Sequence, residues 1–210
     1  MSDLPTRALS AALMIAVALG TTYVGGFLFA IFVAAAATAV YWEWSKLTKG
    51  WGVAWMLLGF VFCLVPALSL LFLRERLDVG FDIVIWVFIV TWATDIGAYF
   101  AGRAIGGPKL APRISPNKTI AGLVGGMVAA ALLGGLWAWS QGLPSLLYML
   151  GAPMAAAAQG GDLFESWMKR KAGVKDSGNL LPGHGGVFDR LDGLLVVATL
   201  TALVVLGTTA

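Results

Sequence analysis

The chain has 210 residues, of which 59% are hydrophobic and only 12% charged, with a formal net charge of +3. Soluble domains carry about 25% charged residues, so this composition excludes a soluble globular domain. Charge-free apolar runs cover residues 8–42, 51–73, 119–161 and 193–210, and each approaches or exceeds the ~20 residues that a membrane-spanning helix needs. The expected fold class is therefore all-α, a polytopic helical integral membrane protein.

Seven spans are predicted in chain order. The first covers about residues 8–20 and is read as a retained membrane segment rather than a signal peptide, because Asp3 and Pro5 precede the single Arg7. Thr21-Thr22-Tyr23 with Gly25-Gly26 marks a break, although residues 8–47 fit either two spans or one span with a re-entrant segment. Span two, about 27–47, ends in the interfacial pattern Tyr41-Trp42-Glu43-Trp44. Span three, 51–73, contains Pro66 as a kink rather than a stop. Spans four to seven are placed at about 82–104, 119–139, 144–168 and 193–209. Twelve of the fourteen Lys and Arg fall at the N-terminus or in the loops 46–50, 103–118 and 169–190. The positive-inside rule then puts the N-terminus and these loops in the cytoplasm. The lone Cys63 lies mid-span and is read as packing.

Charge chemistry is concentrated late in the chain. Residues 162–192 hold ten of the 25 charged residues and the only histidine, His184. If 160–172 is helical, Asp162, Glu165, Ser166 and Lys169 share one face. Asp189 and Asp192 follow a Pro182-Gly183-His184-Gly185-Gly186 turn. Carboxylate pairs across a glycine loop, flanked by Lys and Arg, suit a divalent cation and the phosphates it carries. Asp162, Asp189 and Asp192 are the leading metal ligands, and oxygen-only surroundings favour Mg²⁺ over zinc. Glu165 and Asp176 can serve as ligand, orienting group or ion-pair partner. Asp95 lies within span four, where an ionisable group costs about 2.5–3.5 kcal/mol on insertion scales, so it should face a polar cavity, a cation or a neighbouring helix.

Phosphate contacts are expected from two basic loops. Ser115-Pro116-Asn117-Lys118-Thr119 opens span five as an anion site or, alternatively, as a helix cap with a snorkelling lysine. Ser115, Asn117, Lys118 and Thr119 are candidates there. Ser166, Arg170, Lys175, His184 and Arg190 are candidates in the later stretch. For His184 a purely structural role stands beside the phosphate contact.

The run Ser166-x-x-Lys169-Arg170-x4-Lys175-Asp176-x-Gly178-x-x-Leu181-Pro182-x-His184-Gly185-Gly186-x-x-Asp189-Arg190-x-Asp192 closely resembles the signature of the CDP-diacylglycerol synthases, or phosphatidate cytidylyltransferases. The Ser115–Thr119 and Asp95 blocks resemble that family too, but Ala121 stands where many members carry an acidic or amide residue. The resemblance spans about residues 92–193, and the chain is short for the family, with the difference expected in N-terminal spans. It implies a membrane enzyme that joins CTP (or dCTP) and phosphatidic acid into CDP-diacylglycerol with release of pyrophosphate. Catalytic roles then fall on Asp162, Lys169, Asp189 and Asp192, with Mg²⁺ as cofactor. A second, monovalent cation such as K⁺ is left open. The expected partners are the two substrates and membrane lipids, with no nucleic acid, and a homodimer is left open. The expected location is the bacterial inner (cytoplasmic) membrane, with the active site on its cytoplasmic face. The chain reads as one membrane domain, 1–210, with N-terminal spans in 1–80 and a catalytic core in 81–210.

Two alternative readings fit parts of the sequence. Asp189-x-x-Asp192-Gly193 mimics the start of a CDP-alcohol phosphotransferase motif, but Leu194-Leu195-Val196-Val197-Ala198 does not continue it. A transporter with an intramembrane cation site would account for Asp95, but the chain lacks the repeat symmetry common in transporters.

Overall fold

The computed structural model describes residues 4–181, 183 and 185–209, with the side chains of residues 4–7 and 209 outside the description. Seven helices follow one another: α1 (Leu4–Val24), α2 (Gly26–Leu47), α3 (Val53–Arg74), α4 (Gly80–Ile105), α5 (Ile120–Ser140), α6 (Leu146–Lys171) and α7 (Phe188–Thr209). A 22-residue helix is about 33 Å long at 1.5 Å per residue, enough to cross a hydrocarbon core of about 30 Å. By length and composition α2, α3, α4, α5 and α7 can each cross a membrane. Large apolar side chains such as Phe27, Ile31, Leu57, Phe60, Leu132 and Leu136 point outward. Outward apolar faces on long helices are what lipid requires and water opposes. The protein is an all-α polytopic membrane protein.

Residues 8–47 form two helices. The break falls at Gly25, whose φ of +69° lies where side-chain-bearing residues are strained. Arg74, at the end of α3, donates from Nε to Thr22 O at 2.6 Å and from a terminal nitrogen to Tyr23 O at 3.1 Å. These bonds satisfy carbonyls that the end of α1 leaves orphaned. Helix α3 runs unbroken through the buried Pro66.

Helix α4 is the axis of the bundle and buries Trp86, Val84, Val87 and Val90 completely. Against it α5 packs backbone to backbone. A Cβ on Gly97 would lie 2.6 Å from Ala129 Cβ, and one on Gly126 would lie 2.8 Å from Thr94 O. Small residues at such crossings are how membrane helices gain close packing. A second core, of Val40, Trp44, Leu47, Cys63, Met168, Phe188 and Leu195, joins α2, α3, α6 and α7. Trp44 is its hub, with ring contacts to Trp55, Phe62, Phe164 and Phe188.

Three local departures from the expected layout matter for the site. The loop before α5 contains an antiparallel hairpin, β1 (Lys109–Ala111) paired with β2 (Ser115–Thr119). Helix α6 extends through Lys171, so Lys169 and Arg170 are helical rather than in the loop. Helix α7 starts at Phe188 rather than near 193, which puts Asp189 and Asp192 on its first turns.

Candidate active site

The site is built where α6 and α7 meet. Gly161 on α6 allows the approach: a Cβ there would lie 2.8 Å from Asp192 O and 2.8 Å from a Val196 methyl. One turn further along, the carboxylates of Asp162, Glu165 and Asp192 come within 4.8 Å of one another. Asp162 and Glu165 share one face of α6, as their spacing requires. Ser166 Oγ donates to Asp162 Oδ1 at 3.3 Å. Gly193 N–H donates to Asp192 Oδ1 at 2.7 Å.

Two lysines frame these acids. Lys118, from β2, pairs with Asp162 and also donates to Gln159 Oε1 at 3.0 Å. Lys169 is held between Glu165 Oε2 at 2.9 Å and Asp189 Oδ1 at 2.6 Å. Asp95 on α4 is electrostatically coupled to Asp162, Lys118 and Arg190, and Asp192 to Asp162, Asp95 and Lys118. Five carboxylates thus face three cationic side chains in one region. The surplus of negative charge suits a cation.

Of the three expected ligands, two lie in a cluster of carboxylates and Asp189 lies outside it. Asp162 and Asp192 belong to the three-carboxylate group, and Glu165 replaces Asp189 in it. Asp189 is committed elsewhere. Its Oδ2 accepts from Ser177 N–H at 2.8 Å, Ser177 Oγ at 2.9 Å and Gly186 N–H at 2.9 Å, while Oδ1 accepts from Lys169. The early start of α7 is the reason, because it turns Asp189 back over the 172–187 loop. The fit of the remaining trio to a metal rests on Glu165. That side chain is 1% exposed, and its Oε1 is buried with no hydrogen-bond partner among the described residues. A buried carboxylate oxygen left unsatisfied is costly, and a divalent cation bound by oxygens would satisfy it.

The other candidates are spread around this centre. Thr119 is the N-cap of α5, its Oγ1 accepting from Gly122 N–H at 3.0 Å. Ser115 and Asn117 lie on β2 beside Lys118. Arg170 Nε donates to Ile114 O at 3.3 Å and ties α6 to the hairpin. Lys175 and Asp176 are exposed in the 172–187 loop. A cavity of about 310 Å³ lined by Lys46, Lys49, Trp51, Lys171, Asp176 and Ser177 adjoins that loop. His184 lies outside the described residues.

Sequence reasoning passed over Glu43. It is fully buried on α2, accepts from Val187 N–H at 3.0 Å and Phe188 N–H at 2.8 Å, and lies 3.1 Å from Ser177 Oγ, whose single proton it shares with Asp189 Oδ2. A carboxylate between tryptophans in Trp42-Glu43-Trp44 looked interfacial. The only signal available was an acidic residue at the end of a long charge-free apolar run, just before Lys46.

With this geometry in view, comparison with known proteins is decisive. Residues 48–207 match the profile of the Cytidylyltransferase family. The chain belongs to this family. It is 39% identical to the phosphatidate cytidylyltransferase of Brucella suis biovar 1 (strain 1330), over 97% of this chain and 93% of that protein. It is 34% identical to the enzyme of that name from Rickettsia bellii (strain RML369-C), over 81% of this chain and 77% of that protein. The phosphatidate cytidylyltransferase of Bacillus subtilis (strain 168) is 46% identical over 60% of this chain and 48% of that protein. The match to the Brucella suis protein takes in nearly all of this chain, so the similarity extends beyond the 92–193 core. Its 257 aligned positions exceed the 210 residues present here, which places the relative's extra residues inside the aligned stretch. As a cytidylyltransferase the protein falls among the nucleotidyltransferases, and the transporter alternative loses its support.

Proposed function

We propose that this cytidylyltransferase converts CTP (or dCTP) and phosphatidic acid into CDP-diacylglycerol and pyrophosphate. The observation that carries the reading is the convergence of Asp162, Glu165 and Asp192, flanked by Lys118 and Lys169, at one end of a membrane helix bundle. In the reaction a phosphate oxygen of phosphatidic acid forms a bond to the α-phosphorus of CTP, and the bond from that phosphorus to the pyrophosphate oxygen breaks. The attacking oxygen is already anionic, so no side chain is needed to remove a proton. Asp162, Glu165 and Asp192 would hold a divalent cation such as Mg²⁺, which would supply charge neutralisation for the reacting phosphates.

The chain's own residues do the rest. Lys118 and Lys169, each held by carboxylates, are aimed at the cluster and can exchange a carboxylate oxygen for a phosphate oxygen. Ser115, Asn117, Arg170, Lys175 and Arg190 are our candidates for the remaining phosphates, with Ser166 beside Asp162. Asp189 orients Lys169. The loops 48–52, 106–119 and 172–187 share the end of the bundle that holds this site. Arg170 reaches the hairpin, and Lys171 lies 4.2 Å over the Trp51 ring. Their lysines and arginines favour a cytoplasmic face. We read this as seven spans with the N-terminus inside, in a bacterial cytoplasmic membrane. Residues 81–210 supply the catalytic groups of this single membrane domain.

The test is transfer of label from CTP into chloroform-soluble lipid by purified protein supplied with phosphatidic acid, with Mg²⁺ and with chelator. Metal-dependent CDP-lipid supports the reading. Folded protein that makes no product from several phosphatidic acids, with either CTP or dCTP, overturns it.

A further inference from the structure

Glu43 lies more than a hundred residues from the groups it touches and outside the 48–207 stretch that matches the family profile. Its carboxylate is completely buried, yet no cationic side chain is paired with it among the described residues. The charge is instead met by N–H groups at the start of α7, those of Val187, which precedes it, and Phe188, its first residue. These are donors a helix start leaves open, at the positive end of its dipole. A carboxylate of α2 therefore caps α7 in place of a local residue.

The same oxygen that takes Phe188 N–H faces Ser177 Oγ at 3.1 Å, and that hydroxyl lies 2.9 Å from Asp189 Oδ2. A continuous line of contacts runs from Glu43 through Ser177 and Asp189 to Lys169 and Glu165. The loop has been left hollow for it: a Cβ at Gly186 would lie 2.6 Å from Glu43 Oε2. Below Glu43, Trp44 is locked by its Nε1 donating to Trp55 O at 2.8 Å, so the acid is offered from a rigid base.

We propose that Glu43 is a positioning residue of the active site, whose carboxylate fixes the 176–187 loop and the start of α7 and so sets Asp189 and Lys169 against the three-carboxylate group. It touches no substrate. Glutamine is the informative replacement, because its amide NH₂ would face an N–H or O–H donor that the carboxylate now accepts. Aspartate keeps the acceptors but is shorter by one methylene.

This inference rests on the proposed reaction only for its kinetic readout, and the experiment separates the two. Wild type, Glu43→Gln, Glu43→Asp and Ser177→Ala are compared in detergent or nanodiscs by hydrogen–deuterium exchange and by CTP-to-lipid transfer. In Glu43→Gln, amides in 176–188 should exchange at least about tenfold faster while α4 and α5 are unchanged. The kcat should fall at least about 30-fold with the KM for CTP within about threefold, since the loss is one of geometry rather than of a substrate contact. Glu43→Asp should recover part of both effects. Ser177→Ala, which removes only the bridge to Asp189, should reproduce the kcat loss with less loosening, and it decides the matter if Glu43→Gln does not fold. Wild-type exchange and kcat in the folded variants overturn the proposal, as does loosening spread evenly over all seven helices. If wild type proves inactive toward CTP, the proposed reaction fails, and the exchange data alone judge Glu43.

Discussion

At the residue scale, Asp189 and Asp192 stand three positions apart on one helix and yet do different work. Asp192 points into the carboxylate trio, whereas Asp189 is filled by four hydrogen bonds from Ser177, Gly186 and Lys169. Asp192→Asn is therefore expected to reduce Mg²⁺-dependent transfer at least about 100-fold and to raise the Mg²⁺ needed for half-maximal rate, as metal-ligand losses do. Asp189→Asn should lower kcat without moving the Mg²⁺ midpoint. A metal titration of CTP-to-lipid transfer distinguishes them, and identical midpoint shifts in both variants would put Asp189 among the ligands after all. Lys169 links two largely buried acids, its side chain 13% exposed against 1% for Glu165 and 9% for Asp189. Lys169→Met removes their shared cation, leaving Asp189 only its Ser177 and Gly186 donors, and should cost about 3–5 kcal/mol of stability, measured by denaturation in detergent. Each of these residues had been singled out from its type and spacing. Spacing could not say which carboxylate oxygens were already satisfied, because that depends on donors from a loop folded over Asp189.

At the element scale, the α6–α7 crossing decides whether the trio forms. Gly161 holds the two backbones close, so Gly161→Leu should push α7 away and lower kcat at least about tenfold while far-ultraviolet circular dichroism stays helical, a misplacement effect of the kind that costs catalysis more than folding. Unchanged activity would mean that the crossing tolerates a side chain. At the start of α5 the Thr119 cap holds Gly122 N–H, and Thr119→Ala should cost about 1 kcal/mol, visible as a lowered melting temperature. The helices themselves were legible as apolar runs bounded by charges or glycines, and the α1–α2 break fell where Gly25-Gly26 suggested. The β1–β2 hairpin and the early start of α7 were not. Both lie in charged, loop-like sequence whose conformation is set by partners on other helices, Glu43 among them for α7.

At the scale of the whole molecule, the charged loops gather at one end of the bundle, and the other end is joined by the short connections 75–79 and 141–145. A cysteine at Asn179, exposed in the 172–187 loop, should react with an impermeant maleimide only from the cytoplasmic side. One at Gln141 should react only from the opposite side, and the buried Cys63 should stay unlabelled. Labelling of both loops from one side would break the proposed seven-span topology. The sequence by itself determined the membrane class, the approximate helices, the family and the residue types at the site. Each of these follows from composition, local periodicity or a contiguous motif, and none needs a distant partner. Tertiary structure alone decided that Glu165 rather than Asp189 completes the carboxylate trio and that Lys118 reaches Asp162 from a strand. It also decided that Glu43, buried near the end of α2, caps the helix that carries Asp192. Those facts depend on which helices cross and how closely, and packing between residues a hundred positions apart leaves no local pattern to read.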